Sequence, residues 1–393
     1  MKIAITCPAS LPATQFGGIL FLALDIAKNL SHENEVTIYT TDLDFSDNSK
    51  RFNKKLPRIE KVENFLIKRF HVIFAVKLFF INPSIYKSIS HDKPDIIHAI
   101  SVRSFQAFIA ALISKFNNIP LILSDQGGLF THPDYKESSV KSVLYKVQEP
   151  LIKFIIKQSE KIIVANEYEH SIFSKYCNSS KLEIIRNAID IESLEQNPFD
   201  FKKKYKIEGR MILFLGRFAK VKGVDILLNS FSNLIKNKRN NDVKLVIMGS
   251  NFGYKKELLD QIEELNLNMQ TMIIENPSRQ DVIAAYHASN FLVLPSRWEM
   301  SPLTPLEGFA CKKTTISTKI HGIPYVIKDR ENGILCELEN SVQFTHAMQE
   351  LLDNENTTRE YGMNGYKFVK QECNSKIMSE KLFNVYSEAT KQK

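Results

Sequence analysis

The stretch Phe291-Leu-Val-Leu-Pro-Ser-Arg-Trp-Glu299-Met-Ser-Pro-Leu-Thr-Pro-Leu-Glu307-Gly-Phe-Ala310 decides how this chain folds. Its apolar opening, FLVLPS, reads as a strand buried on both faces, the kind found in parallel sheets. A loop follows, then a helix start. Thr304 is placed to act as N-cap, Pro305 suits the first helical position, and Glu307 falls three residues past the cap. The N–H groups of a first helical turn have no partners within the helix, so the segment from Ser301 through Leu303 and Thr304 is where an anion would sit. A phosphate there leaves Glu299 on one side and Glu307 on the other, each free to accept hydroxyls. That suits a nucleotide diphosphate sugar, with a ribose at one end and a hexose at the other. Thr304-Pro-Leu-Glu307 is equally a good capping box, in which Glu307 only bonds back to the cap.

Outward from this unit the pattern repeats. In the second half MILFLGR (211–217), VKLVIMG (243–249), TMIIEN, TTIST and GILCE read as short buried strands separated by amphipathic helices, and three helical segments close the chain. In the first half KIAIT, VTIYTT (36–41), DIIHAIS (95–101), PLILS, KIIVAN and LEIIRN do the same, while residues 43–94 read as irregular, basic and rich in Phe. Strands alternating with helices indicate doubly wound parallel sheets. A chain of 393 residues exceeds one ordinary core and fits two domains. We expect one over 1–187, a second over 188–378 after a polar connection from Glu192 to Glu208, and a closing helix over 379–393. In open α/β sheets ligands bind beyond the carboxyl ends of the strands, so two such sheets face each other across a cleft that is the expected site.

Composition narrows the class. Hydrophobic content of 44% and charged content of 24% are those of a globular protein. Cys7, Cys177, Cys311, Cys336 and Cys373 form no C-x-x-C pair, which argues against a zinc site or disulfide framework and fits a reducing, cytoplasmic setting. The start, MKIAITCP, reads as a strand and not as a targeting peptide, and no apolar run reaches the ~18 residues that span a bilayer. No G-x-G-x-x-G opens either half, which counts against a dehydrogenase.

Phe214-Leu-Gly216-Arg217-Phe-Ala-Lys-Val-Lys222-Gly223 carries the next signal. Gly216 permits a tight turn. Arg217 offers a planar fork and Lys222 a point charge, the two common ways to hold a diphosphate. Cations at a helix start oppose the helix dipole, so two idle surface charges are the poorer account.

The run PSRWEMSPLTPLEGFACKKTTISTKIHGIPYVIKDRENGILCE resembles the donor-binding segment of the GT4-like glycosyltransferases of GT-B fold, in the order Glu, seven residues, Glu, small-residue helix, strand, Gly-rich turn and N-G-x-L. The resemblance covers nearly the whole chain. It implies two Rossmann-like domains, a nucleotide-sugar donor, a hydroxyl acceptor, retention of configuration, and neither metal nor cofactor. Arg217 and Lys222 are then expected to bind the donor and stabilise the leaving nucleotide. Glu307 would hold the ribose and Glu299 the hexose. The Gly17-Gly18 turn would cover the donor phosphate, and His321-Gly322 occupies the place of the family's Gly-Gly turn beside the sugar. At Ser124-Asp125-Gln126-Gly127-Gly128 the sequence departs from the family, since many relatives carry a histidine where Gln126 stands. A glutamine can donate to a sugar hydroxyl but cannot shuttle a proton near neutral pH. His98, Asp125 and His132 are acceptor-side candidates, with core packing and turn capping as their plainer roles. The alternatives are an epimerase or phosphorylase of the same fold, or a non-catalytic binder of sugar nucleotides; the intact Arg217, Lys222, Glu299 and Glu307 set argues against the last.

Residues 51–93 hold ten Lys or Arg against three acids, a net charge of +7. Phe65, Leu66, Phe70, Phe74, Phe79 and Phe80 lie among them. Basic and apolar together suit an anionic membrane surface and a glycan or lipid-linked acceptor, with Lys68, Arg69 and Lys77 on the head groups; the other reading is that these Phe residues fill the core. Nucleic acid is not an expected partner.

Overall fold

A computed structural model describes residues 1–45, 51–76, 79–125, 127, 129–133 and 140–391. The chain forms two compact units, Met1–Asn187 with Ser375–Lys393, and Ala188–Asn374.

The first unit is built on an eight-stranded sheet of order β10-β9-β8-β7-β1-β2-β4-β3. Its strands are β1 (Lys2–Thr6), β2 (Glu35–Thr41), β3 (Ile59–Val62), β4 (Phe65–Phe70), β7 (Ile96–Ile100), β8 (Leu121–Ser124), β9 (Lys161–Val164) and β10 (Leu182–Ile184). Every pairing is parallel except that of β3 with β4. Helices Gly18–Leu30, Ser84–Asp92, Phe105–Asn117, Val140–Gln158, Glu167–Phe173 and Ser375–Lys391 complete it. Ile5 of β1 lies beside His98 of β7, at the middle of the sheet.

Among its described residues, the segment read as irregular forms regular elements. It forms β3 and β4, an antiparallel pair of β5 (Phe74–Val76) and β6 (Phe79–Ile81), and the helix Ser84–Asp92. The signal was present in FLIKRF, where Phe65, Ile67 and Arg69 alternate inward with period two. Reading Lys68 and Arg69 as surface charge hid it. Arg69 is in fact buried, its guanidinium held by the carbonyls of Leu11 and Pro57 and by Glu60. Lys68 pairs with Asp92. Phe80 lies in a core cluster with Leu20, Leu43 and Val72, and Phe52 meets it edge-on at 5.4 Å. Lys77 and Leu78 lie outside the described residues.

The second unit has a six-stranded, all-parallel sheet of order β13-β12-β11-β14-β15-β16. The strands are β11 (Met211–Leu215), β12 (Lys244–Gly249), β13 (Thr271–Glu275), β14 (Phe291–Leu294), β15 (Thr315–Thr318) and β16 (Gly333–Cys336). The winding starts at the centre, runs to one edge, returns and runs to the other, which is the Rossmann order. Apolar clusters cover both faces of the sheet, one around Phe214, Phe231 and Phe291 and one around Leu213, Tyr286 and Phe309. The connection from 192 to 208 is less polar than it reads. It forms two short helices, Ile191–Glu195 and Phe201–Tyr205, that bury Leu194 and Phe201 in the second cluster. No described helix is long and apolar enough to cross a membrane.

Candidate functional site

In the second unit the winding reverses between β11 and β14, and the polar residues gather in the loops leaving those two strands. Gly223 adopts φ +68°, and a Cβ there would stand 1.9 Å from the carbonyl oxygen of Pro295, so only glycine lets the two loops touch. Arg297 ties them together. Its backbone N–H donates to Val221 at 2.8 Å, and its guanidinium donates to the Lys220 carbonyl and to both oxygens of Asp225, each at 2.7 Å. The result is that Lys222 Nζ forms an ion pair with Glu299 Oε1. The Ser296 hydroxyl donates to the same oxygen at 3.2 Å. Glu299 is only 9% exposed.

Arg217 is held differently. Beyond β11 and β12 the two loops stay zipped: Gly216 N–H donates to Met248 at 3.0 Å, Phe218 to Ser250 at 2.8 Å, and Phe252 back to Phe218 at 3.1 Å. The Phe252 ring lies under the guanidinium, 5.0 Å from its central carbon. Among the described residues the Arg217 side chain makes no hydrogen bond or ion pair, so its N–H donors are turned to no protein acceptor. Burial lowers the pKa of Arg217, opposed by the charge of Glu299. Burial likewise lowers that of Lys222, against the pull of Glu299 and with the push of Arg217. Two desolvated cations therefore share one carboxylate, and an anionic ligand would relieve the excess.

The helix Leu303–Ala310 starts earlier than its sequence indicates. Pro302 precedes it with no side-chain cap, and the Thr304 hydroxyl reaches the Leu215 carbonyl at 3.5 Å. The expectation of a Thr304 cap followed by Pro305 is thus corrected, and the capping-box reading of Glu307 falls with it. Instead Glu307 Oε2 accepts from the Tyr286 hydroxyl at 2.7 Å, and Oε1 pairs with Arg279 Nη1 at 2.7 Å. Burial first, then the charge of Glu307, pushes the Tyr286 pKa far up, so this hydroxyl keeps its proton and donates. Ser301 and Leu303 are half-buried at the helix start. His321 takes φ +48°, and the N–H of Gly322 donates to the backbone carbonyl of Glu299 at 3.2 Å, fixing the turn to the glutamate.

In the first unit Asp125 and His98 are arranged to hold the chain itself. Gly17, at φ +101°, precedes the helix Gly18–Leu30. Asp125 is buried and accepts from the N–H groups of Gly127 at 3.1 Å and Leu129 at 2.9 Å, so it caps the turn. Burial raises its pKa despite those bonds and the nearby Arg103. His98 is fully buried, with Nδ1 2.5 Å from the Tyr386 hydroxyl and Nε2 2.7 Å from that of Ser124. It is a core histidine, and the expectation that it meets an acceptor is withdrawn on that ground. His132 is half-buried past the turn, and Gln126 and Gly128 lie outside the described residues.

Sequence reasoning passed over Phe252, Arg279, Tyr286, Ser296 and Arg297. Only Arg279 left a trace, as a cation in the first turn of the helix Arg279–Ala288, where the dipole disfavours it. Glu169 was missed as well. It is buried beside Asp125, and burial together with that charge pushes its pKa up to about 8.

Two family models match this chain, Glycosyltransferase Family 4 over residues 16–193 and Glycosyl transferases group 1 over 196–368. The UDP-Gal:alpha-D-GlcNAc-diphosphoundecaprenol alpha-1,3-galactosyltransferase of Escherichia coli is 25% identical over 304 residues, covering 73% of this chain and 76% of that protein. Sucrose-phosphate synthase from Thermosynechococcus elongatus superposes with a TM-score of 0.82 at 17% identity, covering 100% and 99% of the two chains. Anabaena HepE, solved in complex with UDP-glucose, superposes with a TM-score of 0.76 at 17% identity, covering 99% and 100%. This chain belongs to the GT4-like, group 1 glycosyltransferases and has their GT-B fold.

Proposed function

From that membership we propose that the protein transfers a hexose from a nucleotide diphosphate sugar to a hydroxyl acceptor, with retention of configuration and without a metal or cofactor. The bond from the anomeric carbon to the diphosphate oxygen breaks, the acceptor oxygen takes its place on the same face, and the nucleoside diphosphate and a proton leave. The observation that carries this reading is the Arg217–Lys222–Glu299 cluster where the second unit's winding reverses. Arg217 and Lys222 neutralise the departing diphosphate, aided by the start of the helix Leu303–Ala310. Glu299, already polarised by Lys222 and Ser296, holds the hexose hydroxyls next to the His321-Gly322 turn. Glu307 holds the ribose. The Gly17-Gly18 turn belongs to the donor side, and Gln126 and His132 to the acceptor side. The test is a thermal-shift screen of nucleotide sugars followed by product analysis with chelator present. A ligand at a hundred times its dissociation constant stabilises by ~2.7 kcal/mol. Transfer that persists in chelator, with the anomeric configuration of the donor, is expected. Dependence on added magnesium or manganese, or an isomerised donor formed without acceptor, would overturn it.

We further propose a lipid-linked acceptor and peripheral attachment to the cytoplasmic face of a membrane. The supporting surface is smaller than the sequence promises. Ile73 and Phe74 are 68% and 60% exposed, and Lys54, Lys55 and Lys61 are exposed nearby in sequence. The acceptor named for the Escherichia coli relative is itself linked to diphosphoundecaprenol. Flotation with anionic but not neutral liposomes, lost at high salt and on replacing Phe74 and the three lysines, is expected. Binding to neither kind of vesicle points to a soluble acceptor.

A further inference from the structure

Glu307 offers more than a negative charge, because both of its oxygens are already engaged. A carboxylate has two oxygens and about four lone-pair sites. Arg279 Nη1 forms an ion pair with Oε1 and the Tyr286 hydroxyl donates to Oε2, both at 2.7 Å. At least one site on each oxygen remains open to a further donor. Both partners come from the helix Arg279–Ala288, which is anchored by a reciprocal cap between Ser278 and Asp281. Tyr286 is fully buried, while the Arg279 side chain is 35% exposed and Glu307 only 8% exposed. The carboxylate can neither rotate about its last bond nor swing out without breaking one of these contacts.

We infer that Arg279 and Tyr286 are positioning residues that present Glu307 as a two-site acceptor, selective for a pair of neighbouring hydroxyls and hence for an intact ribose over a 2′-deoxyribose. Two vicinal hydroxyls on a five-membered ring can each donate to one oxygen of a fixed carboxylate. A lone hydroxyl leaves one of the two sites empty. A carboxylate free to turn would lose this preference, because it could meet a single hydroxyl as well as a pair. The arrangement also explains why an arginine occupies a helix start that the dipole makes unfavourable: its partner is the glutamate. The inference rests on the reading that Glu307 faces the ribose of the donor nucleotide.

The test is calorimetric binding of UDP and GDP, each with its 2′-deoxy counterpart, to the full chain. For the nucleotide that binds, the parent prefers the ribose form by roughly tenfold or more, the scale of one hydrogen bond to a charged group. Tyr286→Phe removes one hydroxyl and Arg279→Gln removes the ion pair at a partly exposed position. Each is expected to weaken the ribonucleotide several-fold and to bring the ribose-to-deoxyribose ratio towards one. Arg279→Lys, which keeps the charge, restores part of the ratio. In a Glu307→Gln background neither substitution has a further effect. Melting curves identify any variant that fails to fold, and Arg279→Gln carries the test if Tyr286→Phe is such a case. An unchanged ratio in folded Arg279→Gln overturns the inference. If Glu307→Gln loses the preference while both positioning variants keep it, only the inference fails. If Glu307→Gln keeps it too, or neither diphosphate binds, the ribose reading of Glu307 fails with it.

Discussion

The two units wind alike yet use their polar residues in opposite ways. In the second unit two of the cations beyond the strand ends, Arg217 and Lys222, are incompletely satisfied. Lys222 and Arg217 share Glu299, and Arg217 rests on an aromatic face with no protein acceptor among the described residues. In the first unit the corresponding residues are turned inward. Asp125 caps two N–H groups of its own turn, and His98 spends both ring nitrogens on Ser124 and Tyr386. A buried polar group with all its bonds made fixes the backbone, whereas one with donors left over is poised for a ligand. The difference teaches where to look for chemistry: at groups whose desolvation is not yet repaid by the protein.

The largest expected effect follows from that contrast. Arg217→Ala or Lys222→Ala should lower kcat by roughly a hundredfold or more, the scale of losing one preorganised charge from a reacting centre. Phe252→Leu leaves both charges and removes only the surface under Arg217. It should cost about two- to fivefold, the lower end of the scale for a cation–π contact, because the charge itself stays in place. Steady-state kinetics on variants with parental melting behaviour make the comparison. If Arg217→Ala keeps its turnover, or Phe252→Leu falls as far as Arg217→Ala, the second unit does not work through unsatisfied cations.

How much of this was legible in the sequence also differs between the units. In the second, β11 through β16 were readable because each is a short apolar run between turn signals, and Gly216, Arg217, Lys222, Glu299 and Glu307 stand at fixed offsets from them. What remained hidden was the partner of each charge. That Lys222 faces Glu299, 77 residues away, depends on Gly223 and Arg297 drawing two loops together, and no local pattern encodes it. The same holds for Tyr286 and Glu307. In the first unit β3 and β4 were lost because Arg69, a cation by type, is a core residue by contact. His98 misled for the opposite reason: its place at a strand end resembles that of a ligand-facing residue, and only the Tyr386 hydroxyl from the closing helix shows the ring is enclosed.

The smallest effect on turnover, and the sharpest on stability, is expected from Glu169 in the first unit. It accepts from Ala165 N–H at 2.6 Å, and its pKa of about 8 compares with an ordinary value near 4.5. Between those values the folded protein keeps a proton that the unfolded chain releases, so stability falls as pH rises from 4.5 to 8. His98 acts with the other sign. Burial lowers its pKa from 6.5 to about 3, so below 6.5 the unfolded chain takes up a proton that the folded one refuses, and stability falls as pH drops. A fully titrating group contributes about 1.4 kcal/mol per pH unit. The two slopes oppose each other between pH 4.5 and 6.5, and from 6.5 to 8 Glu169 acts without His98. Glu169→Gln keeps an acceptor for Ala165 and cannot titrate. It should flatten the dependence of the urea midpoint on pH between 6.5 and 8 while leaving kcat at neutral pH close to that of the parent. If the slope survives the substitution, the buried carboxyl is not its source. If kcat instead drops as it does for Arg217→Ala, the first unit's inward-facing groups take part in the reaction and the contrast between the units is wrong.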